Sequence, residues 1–307
     1  MGLMAEEQRE RQGHDKLFIF LSGFIVIEFG FTMAINALAG GGGVKLGWFL
    51  NSTGDISDYY FLEITPIGWT FAIWGIIYTW QVLWILYVLI AICRKNKFGP
   101  VYLNPPVVTS FFLAMFTLDL AANVAWLFLW DRQLMPVALV IIFLYACTMY
   151  IMLISNHRQV DHYLPALTKY HKWDLFFNRA LIQNGVAFNA TWVSIATLLN
   201  VGIVISYWGG VNQSIACTVS LSILTCEVLC YFILENFILE RYLRYTYSVW
   251  PVVIWALIGS IAQNWDATKT NSIFTAVLLA LSSALYIVKI GLSIWRSIKR
   301  PLVVGKY

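Results

Sequence analysis

The sequence predicts an all-α integral membrane protein, a polytopic bundle of about eight transmembrane helices. Three observations carry this reading. The 307 residues are 60% apolar and only 12% charged, against about 45–50% and about 25% in an average soluble domain. Mean hydropathy is +0.71, so too little polar surface remains for a water-facing fold. The apolar residues gather in runs near the roughly 20 residues that a spanning helix needs, and the basic residues alternate between the connections. This composition excludes a soluble enzyme, a nucleic-acid binder and a disordered chain. It makes the lipid bilayer the first partner.

Eight runs read as spans: Leu17–Ala39, Pro66–Cys93, Val107–Trp130, Val137–Ser155, Leu175–Ile205, Ile215–Glu235, Ser248–Gln263 and Ile273–Trp295. In lipid each backbone polar group must bond within its own segment, so helices are expected. The ten-residue alternation of a barrel is absent. The first run ends in Ala37-Leu38-Ala39, a triplet like a signal-peptidase site. The run is longer than an h-region of about 7–15 residues, so it is expected to remain as a span. Gly40–Gly43 after it reads as a flexible linker. The fifth run exceeds the bilayer and is expected to tilt or to stand partly in the cytosol. The seventh is short and has Arg241–Tyr247 to draw on.

Of the 20 Lys and Arg residues, sixteen fall in alternate connections. They are Arg9, Arg11 and Lys16; Arg94, Lys95 and Lys97; Arg158, Lys169, Lys172 and Arg179; Arg241 and Arg244; Arg296, Lys299, Arg300 and Lys306. Lys45, Arg132 and Lys269 fall in the others, and Lys289 lies inside the eighth span. This asymmetry predicts an even number of spans with both termini in the cytosol. The sequons at Asn51 and Asn212 fall on the predicted outer side and are candidate glycosylation sites, whereas Asn189-Ala190-Thr191 lies within the fifth span. Glu6, Glu7 and Glu10 are foreign to an acid-poor transit peptide. A secretory-pathway or plasma membrane is therefore expected rather than a mitochondrial one. The five cysteines lie in spans or at their edges, so no structural disulfide is expected. The four histidines match no metal pattern and read as solvated or interfacial.

Fourteen tryptophans need an explanation. Trp48, Trp130, Trp173, Trp208, Trp265 and Trp295 suit an aromatic belt at the membrane interfaces. The run from Pro66 through Trp69, Phe71, Trp74 and Tyr78 does not, since Trp74 and Tyr78 share one face well inside the second span. In the third span Asp119, Asn123, Trp126 and Trp130 form one helical stripe, and in the fifth Asn189, Trp192, Ala196 and Asn200 form another. Polar groups at bilayer depth face the bundle or a cavity. They are either glue between helices or the amide donors of an aromatic pocket. Glu28, Asp119, Glu227 and Lys289 are the intramembrane charges. They read as hydrogen-bonded groups that lock helices or as a proton- or ligand-coupled site. No nucleophile elbow, HExxH or phosphate loop is present, and no catalytic residue is assigned.

The second-span motif resembles the tryptophan-rich sensory protein / translocator protein (TspO/MBR) family, whose signature of Pro, Trp, Phe, Trp and Tyr is met by Pro66, Trp69, Phe71, Trp74 and Tyr78. The Asn and Trp of the family's third helix match Asn123 and Trp126. The Trp, Ala and Asn of its fifth helix match Trp192, Ala196 and Asn200. Gly68 departs from the pattern, where an aromatic residue or proline is common. The resemblance covers residues 17–205, a five-helix core. Around it lie an N-tail (1–16), three additional spans (206–295) and a C-tail (296–307). The whole resembles the longer, eight-span branch of the family. The resemblance implies sensing or carrying of a flat hydrophobic ligand, porphyrin or sterol-like, with no required cofactor and with room for a homodimer. The matched residues, joined by Asp119 from the third-span stripe, would form the site. The alternative is a secondary transporter of a small solute using Asp119, Glu227 and Lys289. A tetrapyrrole-modifying enzyme and a seven-span receptor formed by cleavage after Ala39 are further readings.

Overall fold

The computed structural model describes residues 13–96 and 99–302. Arg9, Arg11, Lys97 and Lys306 of the basic-residue asymmetry lie outside the described residues, as do the rest of the N-tail to residue 12 and residues 303–307. Among the described residues seven helices are long and apolar enough to cross a membrane, and an eighth apolar helix is shorter. They are α1 (Lys16–Lys45), α2 (Gly68–Cys93), α3 (Ser110–Asp131), α4 (Met135–His162), α5 (Lys172–Trp208), α6 (Gln213–Ile238), α7 (Val249–Asn264) and α8 (Thr270–Lys299).

Each start has a local cause. Asp15 caps α1 by accepting from the Leu17 and Phe18 amides, Thr109 caps α3, and Asn212 caps α6 through the Ser214 amide. The glycine run after the first span is not the flexible linker its composition implied. The helix kinks within it at Gly41, whose φ of 125° is non-helical and would strain a side chain, and a last short turn, Gly43–Lys45, follows. Nor does α7 draw on Arg241–Tyr247. Asn184 of α5 holds that segment, accepting from the Tyr247 (2.7 Å) and Ser248 (3.1 Å) amides and donating to the Tyr245 carbonyl (2.9 Å). Residues 241–243 instead belong to a separate short helix, Glu240–Leu243, and the backbone at Tyr245, Tyr247 and Ser248 is committed to α5.

α1, α2, α5, α4 and α3 close into a ring in that order, each packing against the next. α5, α6, α8 and α7 close a second ring, so α5 belongs to both. Accordingly 61% of the most apolar window of α5 is buried, against 22–39% in the other long helices.

The connections assigned to one side of the membrane meet at one end of the bundle. The Asp15 amide donates to the Tyr102 hydroxyl (2.8 Å), Arg94 grips Asp174 at 2.7 and 3.3 Å, and Arg244 donates to the Arg300 carbonyl (2.8 Å). His157, expected to be solvated, is buried there against Thr246 (3.1 Å). The other connections meet at the opposite end. The Leu50 amide donates to Asp131 (2.8 Å), Tyr60 to Gln133 (2.8 Å) and Asn264 to the Thr65 carbonyl (2.8 Å).

Candidate ligand-binding site

The segment before α2 sets the position of the aromatic residues. Thr65–Thr70 lies along α7. The Ile67 amide donates to the Gly259 carbonyl (3.1 Å), and the Trp255 indole donates to the Thr70 carbonyl (2.9 Å). Pro66 is buried in this seam. Trp69 points away from the five-helix ring, 44% exposed and edge-on to Trp255 at 4.9 Å. The structure therefore separates Trp69 from the residues with which the motif groups it.

One short helical turn later the chain enters the ring. Trp74 stacks on Tyr78 (5.6 Å between ring centroids), while Trp192 of α5 stands edge-on to both Trp74 (6.4 Å) and Phe71 (6.0 Å). Trp126 of α3 is half-buried and stacks on Trp130 (5.1 Å). It packs against the same apolar residues as Trp74 and Tyr78. The indole N–H groups of Trp126 and Trp192 are buried without a hydrogen-bond partner among the described residues. Leaving such a donor unsatisfied costs about 1–3 kcal/mol.

Below the aromatic wall runs a polar ladder. Tyr78 donates to Asn36 (2.6 Å), and Asn36 donates to Asn123 (2.7 Å), linking α2, α1 and α3. Tyr145 of α4 receives the Asn189 amide at 3.4 Å. Asp119, one turn from Asn123 and 1% exposed, accepts from Thr148 at 3.0 Å. Glu28 of α1 is half-buried, and one of its carboxyl oxygens has no partner among the described residues. Ala196 packs on the apolar side of this ring. Asn200 donates to the Ala196 carbonyl of its own helix (2.9 Å), and its oxygen has no partner among the described residues.

Asn36, Thr32, Tyr145 and Thr148 escaped the sequence reading. Glu28, Thr32 and Asn36 recur at four-residue steps, a stripe as regular as those singled out in the third and fifth spans. That spacing was the available signal.

The other intramembrane charges are not brought together. Lys289 is 1% exposed and pairs with Glu235 at 3.0 Å, while donating to the Leu243 carbonyl (3.0 Å). It neither reaches Asp119 nor extends to the membrane surface. The π turn Leu234–Ile238 explains why. It turns two successive side chains, Glu235 and Asn236, inward at 0% and 2% exposure. Glu235 had been read as the end of a span, so its role as counter-charge was missed. Glu227 is exposed on the outer face of α6. Asp119, Glu227 and Lys289 thus lie in three separate surroundings, which removes the geometric basis for a transporter built on the three together. Of the sequon residues, Asn51 is half-buried and its amide donates to Asp131 (3.0 Å), and Asn212 is exposed.

A helical ring with an aromatic wall over a polar floor, joined to further apolar helices, defines a multi-pass α-helical membrane protein. The sequence profile described as TSPO-like protein matches residues 22–290. The chain belongs to that family, the TspO/MBR proteins. The match takes in α6, α7 and most of α8, whereas the motifs alone reached residue 205. Among curated proteins and among solved structures nothing matches the chain.

Proposed function

We propose that the five-helix ring binds a flat, largely apolar molecule, porphyrin or sterol-like, and that the protein senses or carries it within the membrane. The observation that supports this best is the pair of buried, unpartnered indole N–H groups of Trp126 and Trp192 beside the Trp74–Tyr78 stack. Aromatic walls with few placed polar groups suit a planar guest. Titrating the purified protein with a porphyrin and following its absorbance band tests the reading, with proteoliposome flux separating carriage from sensing. Trp192→Phe keeps most of the ring volume and removes the N–H. It is expected to weaken binding severalfold with a smaller effect on thermal unfolding. Equal affinity in wild type and variant would count against the pocket.

The asymmetry of basic residues supports an orientation with both termini in the cytosol. On this reading Asn51 and Asn212 face outward, and Asn51 carries a glycan in a secretory-pathway membrane.

A further inference from the structure

Among the described residues four Lys or Arg side chains are withdrawn from solvent: Arg179, Arg244, Lys289 and Arg296. All four lie toward the end of the bundle where Arg244 meets Arg300. Three of them have an acid. Arg244 pairs with Glu240 (2.5 Å), Lys289 with Glu235 (3.0 Å) and Arg296 with Glu240 (4.0 Å). Arg179 forms no ion pair among the described residues, and its guanidinium donates no hydrogen bond among them. The other acids of this end are already engaged. Asp15 caps α1, Asp161 holds Arg241 and Asp174 holds Arg94. What Arg179 does have is the ring of Tyr245, whose centroid lies 4.1 Å below its guanidinium carbon. That ring is fixed from two sides. The Asn184 amide donates to the carbonyls of both Arg179 (2.8 Å) and Tyr245 (2.9 Å), and the Tyr245 hydroxyl meets the Ser297 hydroxyl of α8 (3.3 Å). Stacking occupies the face of a guanidinium and leaves the donors at its edge free.

We propose that Arg179, stacked on Tyr245, is the receptor for a phosphate group. A guanidinium fork matches two phosphate oxygens, and the anion supplies the partner that a half-buried cation without an acid lacks. Depth points to a phospholipid headgroup as the source. α5 has 37 residues, about 55 Å of helix, against a hydrocarbon core of about 30 Å. Its two ends therefore stand among the headgroups. Arg179 follows Lys172, the first residue of α5, by seven positions, about 10 Å along the axis. That is close to the edge of the hydrocarbon, where lipid phosphates begin. Trp173 and Trp295, near the same ends of α5 and α8, are 72% and 48% exposed, as belt residues at this boundary are. The site lies outside the aromatic pocket and does not rest on it.

Thermal unfolding in a phosphate-free detergent tests the proposal with three additives: dioctanoyl phosphatidic acid, dioctanoylglycerol and glycerol 3-phosphate. Phosphatidic acid is expected to stabilise the protein saturably, at a concentration at least about tenfold below that of dioctanoylglycerol, the ratio of one hydrogen bond to a charged group. Arg179→Gln should abolish this difference. Arg179→Lys keeps the charge, loses the fork and should reduce the difference, which leaves a test if the first variant fails to fold. Arg241→Gln, whose cation is paired with Asp161, should leave it unchanged. No preference for phosphatidic acid over dioctanoylglycerol would overturn the proposal. So would a preference that survives undiminished in the Arg179 variants, or one that Arg241→Gln removes as fully. Glycerol 3-phosphate acting at the same concentration as phosphatidic acid would overturn the lipid as source and leave the phosphate receptor standing.

Discussion

Lys289 and Glu235 show how one buried contact decides the meaning of an intramembrane charge. Their 3.0 Å pair is almost fully shielded, and the Trp250 indole donates to the same carboxylate at 2.8 Å. Removing one member leaves the other charged and alone, at a cost of about 3–5 kcal/mol. Lys289→Met is therefore expected to be strongly destabilising in detergent unfolding, and Glu235→Gln in the same chain to recover most of the loss. Asp119→Asn added to Lys289→Met should be additive within about 0.5 kcal/mol, as for sites without shared partners; a larger coupling would place Lys289 at Asp119 after all. Glu63, in the connection between α1 and α2, acts at the surface. The Asn271 amide (3.1 Å) and then Lys269 (3.3 Å) hold its carboxyl below the usual carboxylate value. A lowered value means that the stabilisation is complete above the unfolded pKa, about 4.3. It is lost as the pH falls through the folded one. Acid unfolding of wild type should therefore include a loss below about pH 4.3 that Glu63→Gln lacks; superimposable acid profiles would contradict this.

At the scale of elements, the close approach of α7 to the start of α2 depends on Gly259. A Cβ there would stand 2.1 Å from the Thr70 hydroxyl and 2.9 Å from its methyl. Thr70 is fully buried, so neither atom has room to retreat. Gly259→Ala is expected to cost about 1–3 kcal/mol by overpacking, and Thr70→Ala in the same chain to return part of it. Because Thr65–Thr70 leads directly into the Trp74–Tyr78 stack, the proposed function predicts that Gly259→Ala also weakens porphyrin binding, although none of the proposed site residues lies on α7. A variant that loses stability but binds normally would show that the seam does not position the aromatic wall.

For the whole molecule, sharing α5 between two rings makes the eight helices one packed unit. The outward side of α5 is covered by α6 and α7 rather than by lipid. With eight helices running alternately up and down, the described residues begin and end at one end of the bundle, where Asp15 meets Tyr102 and Arg244 meets Arg300. On the proposed orientation that end is cytosolic, and an epitope tag after Tyr307 should be reached by antibody only in permeabilised cells. Labelling of intact cells would reverse the orientation.

Composition and periodicity by themselves determined the membrane class, the eight helices and their limits to within a few residues for most. Each of these follows from the energy of putting one residue, or one turn, into lipid. α7 was read as Ser248–Gln263 and runs Val249–Asn264. The motif also placed Trp74, Tyr78, Asn123, Trp126 and Trp192 in one region, because a stripe on a helix has only one side on which to be buried. Tertiary structure decided which stripes meet. Trp69 has the same motif credentials as Trp74, yet the docking of residues 65–70 on α7 turns it outward. Glu235 gained its role from a π turn that no helical periodicity of 3.6 foretells. The unpartnered indole N–H groups of Trp126 and Trp192 became visible only when five helices closed into a ring, since whether a polar atom has a partner is a property of its neighbours and not of its own position in the chain.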